Sequence, residues 1–324
     1  MRVSITGWKQ RHGVRVPGLG AVLVVALAAC SGSPAGSAPP SADAATDKLA
    51  QVQARGTLVG IFAPDYAPQS LLIDGALRPA DTKCLGNQLT GAEVTGYDNE
   101  TMKLVARDLG VEACFASPQW GEITAGHWND RWDIAYGSGS INADRMQRLY
   151  MTQPYYATPN HYFVRADSSY QTADELSGLK VGVCASCSHE YYLKHELEIP
   201  GVTLTWDIED PEIVAYETEG PGLQALADGD IDAFLCAEPV GQALIAQGLD
   251  LRQLEKPAFT FFPSGFVDRS SGLSVKAFID RVNEIIRAAH ADGRMVALAG
   301  EWFGTDYATA AGEFDLDVLS QDVD

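Results

Sequence analysis

RWDIAYGSGSINADRMQRLYMTQPYY, residues 131–156, is the most informative segment of this 324-residue chain. Its first six residues, Arg131 to Tyr136, predict a β-strand. Upstream, the short apolar run from Gly56 to Phe62 predicts a buried strand. Residues 97–110 carry apolar side chains at helical spacing and predict a helix that Asp98 or Asn99 caps. A further strand is predicted at Val111 to Phe115.

The same alternation continues downstream. Strands are predicted at Lys180–Cys184 and Ile231–Cys236. The predicted helices are a short one after the capping box of Thr172 and Glu175, one capped by Ser188, one over Gly222–Asp228 and a long amphipathic one from Val275 to Ala289. Strands and helices that alternate at this spacing indicate α/β architecture with largely parallel sheets.

The first 29 residues have the features of a secretory signal peptide. Four basic residues and no acidic ones precede an apolar run, and that run is too short to span a membrane. The run ends in Leu27-Ala28-Ala29-Cys30, which resembles the lipobox of bacterial lipoproteins, where the cysteine carries lipid. Residues 30–47 are rich in Gly, Ser, Pro and Ala and predict a flexible, lipidated tether. We therefore expect a protein held by lipid on the extracytoplasmic side of the cell membrane.

The composition limits the kinds of partner. The formal net charge is −20, and removal of residues 1–29 brings it to −24. A surface this acidic argues against binding to nucleic acid or to anionic lipid headgroups. The remaining length suits one large or two medium domains.

Cysteine and histidine positions give no sign of catalysis. Five cysteines follow Cys30, so at least one thiol is free or paired elsewhere. Cys184 and Cys187 have the spacing of a metal or redox pair, but a zinc site would need a second pair, and a local disulfide is the preferred interpretation. The histidines lack metal-motif spacing, and no serine-hydrolase or Walker motif occurs. We predict no catalytic residue, no metal site and no cofactor.

Five segments occur in the order of the family 3 solute-binding proteins of ABC transporters, which are polar-amino-acid receptors with the type II periplasmic-binding fold. The segments are RGTLVGI, GYDNETMKLVARDLGV, residues 131–156, ADELSGLKVGV and LADGDIDAFL. The resemblance spans about residues 50–305. It implies two α/β lobes that close on a ligand, joined by two crossover hinge strands at Gln153–Tyr156 and Glu255–Phe262. Lobe one would comprise residues 48–155 and 260–324, and lobe two residues 156–259.

The resemblance also implies which residues bind the ligand carboxylate. Arg145 would hold both oxygens with its planar guanidinium. Backbone N–H groups of the turn that contains Ser138 and Ser140 would help. In lobe two, Cys187 and Ser188 occupy the turn that would close on the same carboxylate. Cys187 is a weaker donor than the family's threonine, and a disulfide would remove it.

Other parts of the ligand would meet different residues. Tyr66 and Trp120 resemble the aromatic walls that enclose the ligand side chain. The family's ammonium-binding aspartate corresponds to Ala237, so Glu238 or Asp65 would have to replace it. If neither reaches the ligand, the ligand lacks an α-ammonium group.

The resemblance therefore implies a binding protein, not an enzyme. It would deliver a small polar solute, an amino acid or related carboxylate, to the permease of an ABC importer. One alternative is an exported enzyme similar to cyclohexadienyl dehydratase, with Glu238 as its acid. The other is a sensor lipoprotein that reports its ligand to a membrane partner.

Overall fold

The computed structural model describes residues 43–64 and 66–323. The predicted signal peptide, Cys30 with its lipid, most of the predicted tether and Asp65 lie outside the described residues. Within the described residues, no helix combines the length and the apolar character needed to cross a bilayer.

The described residues alternate between helices and strands. The α-helices are Lys48–Arg55 (α1), Tyr97–Leu109 (α2), Trp120–Thr124 (α3), Ala143–Met146 (α4), Ser188–Leu193 (α5), Glu219–Asp228 (α6), Glu238–Ala246 (α7), Lys276–Ala291 (α8), Arg294–Phe303 (α9) and Thr309–Gly312 (α10). The strands are Thr57–Ile61 (β1), Leu71–Leu72 (β2), Leu89–Thr90 (β3), Val94–Thr95 (β4), Glu112–Ala116 (β5), Leu149–Pro154 (β6), Thr158–Arg165 (β7), Lys180–Cys184 (β8), Glu212–Tyr216 (β9), Ala233–Ala237 (β10), Leu251–Gln253 (β11), Phe259–Phe261 (β12) and Ser264–Asp268 (β13). Short 3-10 helices lie at Ala173–Leu176 and Leu316–Leu319.

Two larger sheets organise the chain. One has the order β1-β5-β3, and the other has the order β11-β7-β10-β8-β9 with β12 also paired to β7. The pairs β1/β5, β8/β9 and β8/β10 are parallel, whereas β7 runs antiparallel to β10, β11 and β12. The prediction of largely parallel sheets is therefore wrong. Strand β7 enters the second sheet directly from the crossing after β6, and it lies antiparallel to all three of its neighbours there.

Each larger sheet has its own hydrophobic core, and the chain crosses between the cores twice. Leu58, Val105 and Ile286 belong to the first core, and Val183, Leu226 and Phe234 belong to the second. The crossings lie between β6 and β7 and between β12 and β13. They run side by side, because β6 pairs with β13 and β7 pairs with β12. This arrangement is the two-lobed type II periplasmic-binding fold with two crossover hinge strands, as predicted.

We propose that lobe one comprises residues 48–155 and 260–324 and lobe two comprises residues 156–259. The packing of the hinge residues agrees with these limits to within two residues, because Tyr156 still packs with lobe one and Phe261 still packs with lobe two. Tyr155 and Tyr156 pack in the first core, whereas Phe259 and Phe261 pack in the second.

Most predicted elements are confirmed, including the helix at 97–110, the strand Lys180–Cys184 and the long helix α8. The capping box of Thr172 and Glu175 is also present. The helix after Ser188 is confirmed as α5, but Cys187 is its N-cap and Ser188 its first residue.

The predicted strand at Arg131 to Tyr136 is wrong, because this segment forms only one isolated bridge, from Ala135 to Phe266. The buried Asp133 explains the difference. Its carboxylate accepts a hydrogen bond from the backbone N of Val59 at 2.8 Å and forms an ion pair with Arg55. The backbone N–H groups of Asp133 and Ile134 also donate to the carbonyl of Val59, so the segment is fixed to the middle of β1 without a strand ladder.

The predicted cap of α2 is also wrong. Gly96 is the N-cap, with φ of 107°, and Asp98 and Asn99 are buried in the first turn. A Cβ on residue 96 would lie 2.4 Å from the carbonyl oxygen of Gln69, so only glycine fits there. This close approach directs the Asp98 side chain inward, towards the site described next.

Candidate functional site

A cavity of about 390 Å³ lies between the two lobes. Seven of the eight predicted ligand-binding residues line it: Tyr66, Trp120, Ser138, Ser140, Arg145, Cys187 and Ser188. Glu238 is not among the lining residues. The cavity also has two unpredicted acidic residues, Glu217 and Glu219, and a buried histidine, His189.

The turn at Ser138 to Ser140 is held in place by tight packing. Ser138 adopts a positive φ of 53°. A Cβ on Gly139 would lie 2.1 Å from the ring of Phe266, so any larger residue would push the turn away from β13. The absence of a side chain at position 139 therefore fixes how far the turn reaches into the cavity.

A buried hydrogen-bond network that includes Asp98 holds the turn at Ser138 to Ser140 in place. The Ser138 hydroxyl donates to Asp98 Oδ2 at 2.8 Å, and the Tyr155 hydroxyl donates to Asp98 Oδ1 at 2.7 Å. The Tyr155 oxygen accepts from the backbone N of Ser138 at 2.9 Å, and the Tyr156 hydroxyl donates to Ser138 Oγ at 2.7 Å. Burial raises the pKa of Asp98 to about 7, although these hydrogen bonds favour the charged form. Helix α2 and the first hinge strand are thus joined directly to the predicted anion-binding turn.

Arg145 is the only arginine or lysine in the lining of this cavity, and its guanidinium is almost completely buried, with 2% of the residue exposed. The Asn142 side chain caps the short helix α4 by accepting from the backbone N of Arg145 at 2.8 Å. The guanidinium donates from Nη1 to the carbonyl of Ser140 at 2.9 Å and from Nη2 to the carbonyl of Ser186 at 3.1 Å. These bonds fix the side chain at the boundary between the lobes.

The charge of Arg145 has no partner within the described residues. Arg148, one turn away, pairs with Asp144 at 2.5 Å, but the hydrogen bonds of Arg145 reach only neutral oxygens. Its buried Nε has no hydrogen-bond partner among the described residues. Burial lowers the pKa of Arg145 to about 10, so it stays protonated at neutral pH. A buried, unpaired cation is costly, and an anionic ligand would supply the missing partner.

Lobe two contributes a hydroxyl but no thiol. Ser188 Oγ lies 3.4 Å from Arg145 Nη1 and accepts from Asn142 Nδ2 at 3.3 Å. Cys187 lines the cavity, but it is bonded to Cys184 in a disulfide, as the CxxC spacing indicated. The hypothesis that the Cys187 thiol donates to the ligand is therefore wrong for this oxidised form. Cys84 and Cys114 form a second disulfide, and Cys236 is free and buried.

The two predicted aromatic walls both come from residues 48–155, and both line the cavity. Trp120 begins α3, and its indole Nε1 donates to the carbonyl of Ser186 at 3.4 Å. Its ring centroid is 5.1 Å from Arg145 Cζ, within the range of a cation–π contact. Tyr66 packs against the core of lobe two. Both rings therefore line the cavity that contains Arg145, and Trp120 contacts its guanidinium.

Glu238, one of the two predicted ammonium-site residues, does not line the cavity. Glu238 accepts hydrogen bonds from the Tyr307 hydroxyl at 2.6 Å and from Gln253 Nε2 at 3.2 Å. Tyr307 of the C-terminal segment therefore binds the Glu238 carboxylate, which the sequence analysis had expected to bind the ligand ammonium group. Ala237 is buried at the end of β10. Asp65 lies outside the described residues.

Two unpredicted acidic residues line the cavity, and Glu217 is exposed whereas Glu219 is buried. Glu219 begins α6 at the carboxyl end of the parallel strand β9, a position where α/β sheets commonly bind ligands. Burial raises its pKa to about 7. No strand was predicted at Glu212–Tyr216 and the helix was expected to begin later, at Gly222, so no signal in the sequence placed Glu219 at the end of a strand.

His189 is a further ionisable residue in the lining that the sequence analysis did not predict. Its pKa is lowered to about 3, first by burial and then by the charge of Arg145, so the imidazole is neutral at physiological pH. Its Nε2 lies 2.7 Å from Asn160 Oδ1, and its Nδ1 lies 3.6 Å from Cys184 Sγ. A neutral imidazole therefore lies beside the disulfide and faces the same cavity as Glu219.

The chain is similar to known proteins over most of its length. The L-cystine-binding protein TcyJ of Escherichia coli is 25% identical over 260 residues, which cover 80% of this chain and 86% of that protein. The amino acid ABC transporter substrate-binding protein AbpA of Streptococcus pneumoniae, solved with L-arginine, has a TM-score of 0.61 at 21% identity and covers 82% of this chain and 99% of its own. The ancestral amino acid-binding protein AncCDT-1, a precursor of cyclohexadienyl dehydratase, has a TM-score of 0.61 at 20% identity and covers 79% of this chain and 99% of its own.

The family model for bacterial extracellular solute-binding proteins, family 3, matches residues 85–305. That range includes the turn at Ser138, the buried Arg145, both hinge crossings and all of lobe two. With the two-lobed fold and a cavity between its lobes, this match shows that the chain belongs to the bacterial extracellular solute-binding proteins of family 3.

Proposed function

We propose that this protein binds a free amino acid, or a related small carboxylate, in the cavity between its lobes and delivers it to an ABC importer. The observation that carries the proposal is the Arg145 guanidinium, which is buried at the cavity and has no anionic partner among the described residues. A carboxylate would pair with it in a water-poor site, where charge-assisted hydrogen bonds are strong.

The lining suggests how the rest of the ligand is bound. The carboxylate would lie between Arg145, the turn at Ser138 to Ser140 and the hydroxyl of Ser188. Glu219 would take the ammonium group, in place of the predicted Glu238. The ligand side chain would lie beside the rings of Tyr66 and Trp120.

The relatives and the size of the cavity support a small ligand. The names of the relatives include L-cystine, and AbpA was solved with L-arginine. A volume of about 390 Å³ falls at the lower end of the range of roughly 300–1,000 Å³ for small-molecule sites.

Native mass spectrometry of protein purified without refolding would identify a co-purified ligand. A thermal-shift panel of free amino acids and of their carboxamide analogues would then test the carboxylate requirement. We expect at least one amino acid to raise the melting temperature, because the ligand binds only the folded form, and its carboxamide to fail. Equal shifts with acid and carboxamide would contradict the role of Arg145.

A matched pair of variants tests the ammonium site. Glu219→Gln should weaken binding of the identified amino acid at least tenfold, whereas Glu238→Gln should leave its affinity unchanged. A loss of affinity in Glu238→Gln but not in Glu219→Gln would instead support Glu238 as the residue that binds the ammonium group.

A second candidate function is an exported enzyme similar to cyclohexadienyl dehydratase. The likeness to AncCDT-1 favours it at the level of fold, and Glu219 is a carboxylic acid that faces the cavity. Incubation with prephenate or arogenate separates the two functions. Multiple turnover that is lost in Glu219→Gln would support the enzyme, and recovery of the unchanged compound would support binding alone.

We also propose that Cys30 carries the lipid that holds this extracytoplasmic protein at the membrane. The Leu27–Cys30 motif and the tether composition that follows it support this. Two or more acyl chains give stable anchoring, so Cys30→Ala should move the protein from the membrane fraction to the soluble fraction. A Cys30→Ala variant that still sediments with membranes would require a different anchor.

A further inference from the structure

Four side chains of lobe two form a second chemical centre in the cavity: Cys184, Cys187, His189 and Glu219. One possible ligand atom from each lies within 4.8 Å of all the others. They come from three places, namely the end of β8, the start of α5 and the start of α6. Because β8 and β9 are parallel, these positions meet at one edge of the sheet.

The histidine of this group is already oriented as a metal ligand. The Nδ2 of Asn160 donates to the carbonyls of Phe259 at 3.2 Å and Thr158 at 3.4 Å, which turns its Oδ1 towards His189. Since Oδ1 is only an acceptor, the proton of His189 must be on Nε2. Nδ1 therefore presents its lone pair towards Cys184 Sγ, 3.6 Å away. An outer partner that fixes the tautomer in this way is characteristic of metal-binding histidines.

The two cysteines are joined in the structure, so the oxidised protein offers no thiolate. A dithiol reductant would change that. It transfers two electrons to the S–S bond, each sulfur of Cys184 and Cys187 takes up one proton, and the reductant closes its own disulfide. Metal binding would then release both thiol protons to solvent, because the thiolate is the ligand.

We propose that reduction of the Cys184–Cys187 disulfide creates a binding site for a thiophilic divalent cation such as Zn²⁺. The ligands are the two thiolates, His189 Nδ1 and one carboxylate oxygen of Glu219. Two sulfurs, one nitrogen and one oxygen form a donor set that suits tetrahedral zinc. Three negative ligands around a doubly charged ion leave one negative charge, and the guanidinium of Arg145 adjoins the same cavity.

The other disulfide provides a comparison within the same protein. Cys84 and Cys114 lie close to Glu112, but that group has only three donors and no imidazole. It also lacks the outer hydrogen bond that Asn160 makes to His189. Reduction at Cys84 and Cys114 should therefore create a much weaker site or none.

Metal binding would also compete with the solute. Glu219 cannot hold an ion and an ammonium group at once, so the reduced, metal-bound protein should bind amino acids poorly. This consequence rests on the proposed function, whereas the metal site does not. Metal binding without any effect on solute affinity would therefore mean that Glu219 does not serve both the ion and the ammonium group, and the cobalt spectrum of Glu219→Gln would show which of the two it binds.

The test uses Co²⁺ as a spectroscopic probe in the full-length protein, reduced and then freed of reductant without oxygen. Circular dichroism first confirms that the reduced protein is folded. We expect one equivalent of Co²⁺ to produce thiolate-to-metal charge-transfer absorption and the intense visible bands of tetrahedral cobalt. The oxidised protein and Cys184→Ser/Cys187→Ser should show neither, while Cys84→Ser/Cys114→Ser and Cys236→Ala should retain both.

Two variants that keep both thiols make the test more specific. Asn160→Ala should weaken Co²⁺ binding roughly 10- to 100-fold, the usual effect of removing an outer partner. Glu219→Gln should weaken it as well and change the visible bands. Unchanged cobalt absorption in Cys184→Ser/Cys187→Ser would overturn the proposal. So would a folded, reduced wild-type protein without charge-transfer absorption, or an unfolded one that metal does not restore.

Discussion

Arg145 and Arg148 show how environment decides what one residue type does. They are three positions apart, yet Arg148 is partly exposed and ion-paired with Asp144, whereas Arg145 is buried beside the cavity. An exposed pair of this kind contributes little to stability. The positive charge of Arg145 has no anionic partner among the described residues. We therefore assign the ligand carboxylate to Arg145.

Replacing Arg145 should therefore remove ligand binding. We expect Arg145→Ala to cost about 2–5 kcal/mol, because the carboxylate would remain desolvated without its partner. That corresponds to a loss of affinity of roughly 30-fold to several thousandfold. Calorimetry with the identified ligand measures the loss, and Arg148→Ala is the matched control. A change of less than threefold in Arg145→Ala would exclude it from the site.

Asp98 should make stability depend on pH. Its pKa rises from 3.8 to about 7 in the folded state. The stabilisation that the raised pKa of Asp98 gives to the folded state is complete below the pKa of the unfolded state. It is lost as the pH rises through the pKa of the folded state. Up to about 4 kcal/mol of the free energy of unfolding is at stake between pH 4 and pH 7. Urea unfolding should show a flatter pH dependence for Asp98→Asn than for the wild type, and identical slopes would contradict the raised pKa.

Among the elements, those defined by local sequence were predictable and those defined by distant contacts were not. Helix α2 and strand β8 follow from their own hydrophobic patterns, and both are confirmed. The segment Arg131 to Tyr136 also has a strand-like composition. Its backbone follows the contacts of Asp133 with β1 instead, and no local pattern contains that information.

The site shows the same division. The resemblance predicted that Arg145 and the turn at Ser138 lie in the ligand cleft, and both line the cavity. Their positions could be read from the resemblance because both lie in one continuous segment. The resemblance also placed Glu238 in the cleft, but its carboxylate accepts a hydrogen bond from Tyr307 and does not line the cavity. Tyr307 is distant in sequence, so the resemblance of the local segment could not reveal this contact. Glu219 reaches the cavity only because β9 lies beside β8, and strand order within a sheet cannot be read from spacing.

The two disulfides should contribute differently to stability. The Cys84–Cys114 bond spans 30 residues, whereas Cys184–Cys187 spans three. From the entropy of loop closure, Cys84→Ser/Cys114→Ser should cost about 3–4 kcal/mol and Cys184→Ser/Cys187→Ser about half as much. Denaturant unfolding of both double variants measures the difference. Equal costs would mean that native contacts, not chain entropy, set the contribution of these bonds.

The described residues form two lobes joined by two paired crossings, with the functional groups divided between the lobes. Lobe one supplies Arg145 and the turn at Ser138, and lobe two supplies Ser188 and Glu219. Several hydrogen bonds between described residues already span the boundary, among them those from Arg145 and Trp120 to the carbonyl of Ser186. A ligand that bridges both sets of groups should therefore favour the closed arrangement of the lobes.

Small-angle X-ray scattering of the wild type and Arg145→Ala, with and without the identified amino acid, tests directly whether the cavity closes on a carboxylate held by Arg145. We predict that a saturating ligand decreases the radius of gyration of the wild type. The same ligand concentration should leave Arg145→Ala unchanged. An equal decrease in both proteins, or no decrease in a wild type that calorimetry shows to be saturated, would contradict ligand-driven closure on Arg145.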